Sequence, residues 1–169
     1  IQVISMQVMS CNLKVSEQYA SPNVMSKKYG KNMSGPILDF ESWQMQVHEM
    51  IKSDPLWKFN VYPKTLYVYD LAWNDCDNLL NDVRGKEIAR QLIRSVGSIS
   101  ANIDEGYGRG YGKDYAFRLR IAIGEAREAH SWYWKARKLL PPEIVDLRIQ
   151  QLSENHRHDR SKHHQTTSV

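Results

Sequence analysis

Cysteine is nearly absent from this sequence, which has two in 169 residues. Cys11 and Cys76 lie far apart, and Cys76 falls on the apolar face of a predicted helix, where a thiol behaves as a small buried hydrophobe. We therefore expect no disulfide. A chain without disulfides suits the reducing cytoplasm, and we expect a cytoplasmic protein.

The sequence also lacks long apolar runs and strand-like patterns. No run approaches the ~18 apolar residues that a membrane-spanning helix needs, so we expect no membrane partner. No stretch alternates apolar and polar residues as a half-buried strand does. At 169 residues the chain is long enough for one domain with its own core. These absences favour a single all-α domain.

A catalytic constellation is missing as well. No periodicity brings a Cys-His or Ser-His pair together, and the HExxH ligand spacing does not occur. Glycines 106, 108, 110 and 112 invite comparison with phosphate-binding loops. Those loops follow a strand and open a helix, whereas these glycines follow a predicted helix. We expect no enzyme, no cofactor and no metal site.

Apolar residues recur with helical spacing in four stretches. The first is expected to end near Gly85, the second to run from Lys86 to about Tyr107, and Pro141-Pro142 to separate the third from the fourth. The third keeps a 3.5-residue repeat, which is typical of coiled-coil-like packing. The pattern predicts an antiparallel up-and-down four-helix bundle over residues 56–153. Its inward positions are Thr65, Val68, Ala72, Cys76, Leu79 and Val83; Ile88, Leu92, Ser95, Ile99 and either Asn102 or Ile103; Tyr115, Leu119, Ala122, Ala126, Ala129, Tyr133, Ala136 and Leu140; and Val145, Ile149 and Leu152.

The flanks of this bundle differ from it in composition. Residues 1–38 show no sustained period and are expected to form a disordered leader. Residues 39–55 carry a short helical pattern that ends at Asp54-Pro55, and we expect a short docking helix there. Residues 154–169 are rich in histidine and have no apolar residue before Val169. They predict a disordered tail.

The third helix has a second, basic stripe beside its apolar one. Arg120, Arg127, His130, Trp134 and Arg137 step by 7, 3, 4 and 3 residues, and Arg109 and Lys113 could join them from the glycine turn. Guanidinium groups beside an exposed indole suit a phosphate backbone with base stacking. The same stripe also fits a solvated face, or one paired with the acidic first helix. Both interpretations stay open.

Asn102 and Glu105 are three residues apart and share a helix face near its carboxyl end. They could present a polar pair to a ligand or to a neighbouring subunit. Alternatively they anchor the glycine turn through local hydrogen bonds. We favour the anchor, because the last carbonyls of a helix need donors and ordered turns need fixed ends.

The stretch Gln91–Gly110, together with Ile121–Glu128, resembles a bacterial four-helix-bundle family. Its founding members are encoded in intervening sequences of large-subunit ribosomal RNA genes. The shared motif, S-I-x-x-N-I-x-E-G-Y-x-R, includes Asn102, Glu105, Gly106 and Tyr107. The resemblance implies an up-and-down bundle that assembles into a ring-like homo-oligomer, a pentamer. It also suggests similarity to an accessory protein of diversity-generating retroelements, which binds a reverse transcriptase and nucleic acid through a basic surface.

The sequence therefore predicts a non-enzymatic, oligomeric helical bundle that binds RNA or a nucleoprotein partner such as a reverse transcriptase. The candidate nucleic-acid contacts are Arg109, Lys113, Arg120, Arg127, Trp134 and Arg137. The alternative is a structural assembly module without a nucleic-acid role. One departure from the family is that the apolar period of the last helix ends at Leu152.

Overall fold

The computed structural model describes residues 38–110 and 112–153, and every regular element within them is helical. The all-α prediction is thus confirmed for this part of the chain. None of the helices described combines the length and apolarity needed to cross a bilayer. The predicted leader up to residue 37, Cys11 and the predicted tail at 154–169 lie outside the described residues. The elements are α1 (Phe40–Gln46), α2 (Glu49–Lys52), a 3₁₀ helix (Pro55–Lys58), α3 (Val61–Leu79), α4 (Val83–Gly108), α5 (Lys113–Ala136) and α6 (Pro142–Ser153).

The four longer helices pack in chain order: α3 on α4, α4 on α5, and α5 on α6. On α5 the predicted small residues Ala122, Ala126 and Ala129 are all buried. Ser95 on α4 is fully buried as well. Side chains this short allow helix axes to approach closely. The apolar spacing therefore identified the inward faces of both central helices.

The turn between α3 and α4 differs from the sequence prediction. The first helix was expected to include Val83 and to end near Gly85, and this is wrong: α3 ends at Leu79 and Val83 begins α4, with 78% of its surface exposed. The Asp82 carboxylate accepts hydrogen bonds from the backbone N–H of Arg84 (2.8 Å) and Gly85 (3.2 Å). An aspartate at the N-cap satisfies helix donors that otherwise lack partners. The cap therefore starts a new helix at Val83, although the apolar spacing of the preceding helix continues to that residue.

The Asp82 cap should make stability depend on pH. Hydrogen bonds from the Arg84 guanidinium and from the two amides hold the pKa of Asp82 well below its usual range. A carboxyl with a depressed folded-state pKa stabilises the fold above its unfolded pKa and loses this contribution as the pH falls. We expect Asp82→Ala to lower the free energy of unfolding at pH 7, with a difference from wild type that shrinks below about pH 4. Urea denaturation across a pH series measures it. A difference that stays constant down to pH 2 would contradict this origin.

Residues 39–55 form two short α-helices rather than one, and the 3₁₀ helix follows them; α1 and the 3₁₀ helix pack on α3. The buried Trp43 indole donates its N–H to Asp70 on α3 at 2.7 Å. The Tyr67 hydroxyl of α3 donates to the carbonyl of Leu38, also at 2.7 Å. Two polar contacts and an aromatic cluster thus hold this segment on the outer side of α3.

A buried polar group joins α3, α5 and α6. Arg148 donates from Nε to Asp75 Oδ2 at 2.8 Å and from Nη2 to Oδ1 at 3.3 Å. The Tyr133 hydroxyl donates to the same Oδ2 at 2.9 Å. Each of the three residues exposes 1% of its surface or less. Burial raises the pKa of Tyr133 well above its ordinary value, which keeps its hydroxyl proton in place as a donor.

Candidate nucleic-acid interface

Exposed side chains follow α5 along the side opposite its buried alanines. Lys113, Arg120, Arg127 and Trp134 are seven residues apart, and seven residues are close to two helical turns, so they share one face. We call this surface the α5 outer face. It consists of Lys113, Phe117, Arg120, Gly124, Arg127, Ser131 and Trp134, continued by Arg137 at the end of the helix, and every one of these residues is exposed.

The α5 outer face carries charge of a single sign. Four of its eight residues are cationic and none is acidic. At a rise of about 1.5 Å per residue, heptad spacing places Lys113, Arg120 and Arg127 about 10 Å apart along the helix. The exposed Asp114 lies next to Lys113 in the chain but roughly a quarter turn away around the helix. The result is a linear array of positive charge.

Two large aromatic rings interrupt this array. Phe117 exposes 53% of its surface and Trp134 exposes 55%. The Arg120 guanidinium carbon lies 5.9 Å from the Phe117 ring centroid, and that of Arg137 lies 4.3 Å from the Trp134 ring. Arg137 also donates to the Trp134 carbonyl at 2.8 Å. A cation beside an exposed ring can contact a phosphate while the ring stacks on a base.

The motif residues near the end of α4 meet an arginine of α5. Arg118 donates from Nη2 to Glu105 Oε1 at 2.6 Å and from Nη1 to Asn102 Oδ1 at 3.3 Å. Asn102 in turn donates to the Ser98 carbonyl at 2.8 Å. The pair therefore takes part in a hydrogen-bond network within the chain, across the two helices. Sequence reasoning did not select Arg118, because no spacing rule pairs residues on different helices.

Gly106 and the glycine turn adjoin this network. A Cβ at the buried Gly106 would lie 3.0 Å from Arg118 Cβ and 3.3 Å from the Tyr115 ring, so glycine lets α4 and α5 approach closely. Gly110 (φ 86°) and Gly112 (φ 112°) adopt left-handed conformations that favour glycine. Tyr107, the remaining motif residue, is exposed. The glycines here shape a turn.

The residues of the predicted basic stripe do not all lie on the α5 outer face. Arg109 follows α4 as its C-cap, and its guanidinium pairs with Glu105. His130 is half-buried and lies outside the α5 outer face. Arg120, Arg127, Trp134 and Arg137 share one exposed surface, which Lys113 extends toward the glycine turn. Within residues 38–110 and 112–153 there is no cluster of three or more His, Cys, Asp or Glu side chains that could hold a metal ion.

The network predicts a measurable coupling between Glu105 and Arg118. Their side chains are 39% and 25% exposed, so solvent screens the ion pair in part. We expect a double-mutant cycle with Glu105→Gln and Arg118→Ala to give a coupling energy of about 1 kcal/mol in urea denaturation. The same cycle on the more exposed pair Arg90–Glu87 serves as the control and should give less than about 0.5 kcal/mol. Equal couplings would show that the interhelical pair adds nothing specific.

The helices and their surfaces define an all-α protein whose most distinctive surface is a basic, aromatic helical face. Comparison with protein families makes the assignment specific. Residues 59–157 match the 23S rRNA-intervening sequence protein family, and the chain belongs to that family. The resemblance seen in the sequence motif is thereby confirmed. No curated protein and no solved structure matches the chain.

Proposed function

We propose that this chain is a non-enzymatic RNA-binding protein, whose α5 outer face contacts the phosphate backbone of RNA or of a nucleoprotein such as a reverse transcriptase complex. The observation that carries the proposal is the run of four cations and two exposed rings, without a carboxylate, along one helix face. Neutralised phosphates supply most of the sequence-independent affinity for nucleic acid. The family name refers to intervening sequences of 23S rRNA.

The proposal also covers the topology of the four longer helices and the oligomeric state of the protein. We propose that α3 to α6 form an antiparallel up-and-down four-helix bundle, supported by packing in chain order and by short connections at residues 80–82, 109–112 and 137–141. The proposed assembly is a cytoplasmic homo-oligomer, a pentamer, as the motif resemblance implies. Repetition of the α5 outer face in such an assembly would multiply its contacts with one RNA.

Filter binding of a structured RNA across a salt series tests the nucleic-acid role. We expect log K for the wild type to fall linearly with log salt, and Arg120→Ala/Arg127→Ala/Arg137→Ala to flatten this slope by about 2 to 3. The matched control is Arg84→Ala/Arg90→Ala/Arg94→Ala, which removes three exposed charges from α4 that are each paired with a carboxylate. The control should change the slope by less than about 1. Absence of salt-sensitive retention, or an equal effect of both triple variants, overturns the proposal.

A structural assembly module is the second candidate function. It is favoured by charge complementarity, since the outer side of α3 exposes Asp70 and Trp73 while α5 exposes arginines. Two surfaces of opposite charge on one chain can join copies of that chain head to tail. Sedimentation of the arginine triple variant separates the two functions. If the triple variant no longer self-associates and the wild type does not retain RNA, the assembly module is favoured.

A further inference from the structure

An open cleft of about 210 Å³ lies between α1 and α3. Its walls include three aromatic side chains, Trp43, Tyr67 and Trp73, and the carboxylate of Asp70. None of the described residues that line it is a lysine or an arginine. The cleft therefore combines ring surfaces with one negative charge and has no cation of its own among these residues.

The Asp70 carboxylate is held by a rigid aromatic group. The Trp43 indole N–H donates to Oδ2 at 2.7 Å, and Trp43 is 9% exposed. Its ring lies 5.4 Å from that of Tyr67 and 6.4 Å from that of Trp57. A carboxylate can accept about four hydrogen bonds, so the indole leaves Asp70 the capacity to accept further donors. The Tyr67 hydroxyl donates elsewhere, to Leu38.

Trp73 gives the cleft a solvent-accessible wall. It is 58% exposed and its ring lies 6.5 Å from that of Tyr69, at an interplanar angle of 41°. An indole face attracts cations through its quadrupole, and the planar guanidinium group both stacks on it and donates in pairs to a carboxylate. An aromatic wall beside a fixed carboxylate thus matches the chemistry of an organic cation.

We propose that this cleft is a binding site for an organic cation, with an alkylguanidinium group as the best match. The guanidinium donates to Asp70 while its plane stacks on Trp73, and the apolar part of the ligand contacts Leu71, which also lines the cleft. The site is on α3, away from the α5 outer face, and does not depend on RNA binding. Its ligand is either a free small cation or an arginine side chain of a second copy.

Titration of the full chain with N-propylguanidinium tests the site, with the indole Nε1–H resonances of Trp43 and Trp73 as reporters. We expect saturable shifts, and an affinity about ten-fold lower for Asp70→Asn and about five-fold lower for Trp73→Leu. Asparagine keeps an oxygen that can accept the Trp43 N–H. An unfolding midpoint equal to that of the wild type, with indole resonances other than that of Trp43 unshifted in the free variant, shows that the fold around the cleft is kept. The neutral isostere N-propylurea should bind at least about ten-fold more weakly.

Two control variants make the same chemical changes elsewhere. Asp146→Asn removes an exposed carboxylate on α6, and Trp134→Leu removes a half-exposed indole on α5. Both should bind N-propylguanidinium as the wild type does. Equal affinity in the wild type and in Asp70→Asn, or equal affinity for the urea and the guanidinium, overturns the proposal.

Sedimentation distinguishes the two sources of the cation. If an arginine of a second copy occupies the cleft, N-propylguanidinium and Asp70→Asn each weaken self-association. If the ligand is a free cation, self-association is unchanged while the saturable titration persists. If self-association is unchanged, RNA retention by Asp70→Asn should equal that of the wild type. If self-association weakens, retention falls with it, but the salt slope for each bound chain should equal that of the wild type, because the α5 outer face is intact. Failure of this site and failure of the α5 outer face are thus told apart.

Discussion

Replacing Arg148 by alanine is expected to lower the free energy of unfolding by about 3–5 kcal/mol. Arg148 and Asp75 are both about 1% exposed and form a two-point contact, with the Tyr133 hydroxyl on the same carboxylate. Removing the guanidinium leaves a buried carboxylate with only one of these partners. For a chain of this size the midpoint of thermal unfolding should fall by roughly 10 °C.

Two comparisons isolate the buried charge as the cause. The triple variant Asp75→Leu/Tyr133→Phe/Arg148→Met replaces the whole polar group by apolar side chains and should recover most of the loss, because no group is left unpaired. Arg94→Ala breaks an ion pair whose arginine is 57% exposed and should cost less than about 1 kcal/mol. A cost for Arg148→Ala no larger than that of Arg94→Ala in urea denaturation would contradict the buried geometry.

Gly85→Ala should lower the free energy of unfolding by about 2–3 kcal/mol. A Cβ at this position would lie 2.1 Å from the Leu79 carbonyl oxygen. This oxygen belongs to the backbone at the end of α3, so it cannot move aside as a flexible side chain would. The turn between α3 and α4 must therefore shift. Thermal unfolding followed by circular dichroism measures the effect.

Gly124→Ala is the matched control for Gly85. Nothing lies within 4 Å of a Cβ at Gly124, which is exposed within α5. Alanine is there a better helix former than glycine, and stability should rise by about 0.5–1 kcal/mol. If both alanine variants raise stability, Gly85 does not lie as close to the Leu79 carbonyl as the structure places it.

Helical periodicity predicted the inward faces of the longer helices well. Buried side chains must repeat at the helical period, so the spacing from Ala122 to Ala136 and the buried Val145 and Leu152 could be read directly. The same rule predicted the basic stripe, because heptad spacing alone places Arg120, Arg127 and Trp134 on one face of the helix.

What periodicity missed depends on contacts between distant segments. Asp75 and Arg148 are 73 residues apart, and a charged residue at a core position reads as exposed until its partner is known. Arg118 meets Glu105 on another helix. The start of α4 was missed for a local reason: the Asp82 cap overrode the apolar pattern through Val83.

The most direct test of the α5 outer face follows the tryptophan indole resonances while a structured RNA is added to the full chain. Trp134, half-exposed beside Arg137, should shift and broaden, whereas the buried Trp43 and the α3 residue Trp73 should keep their positions. Shifts at Trp73 with an unchanged Trp134 would place RNA on the wrong side of the molecule and contradict the account.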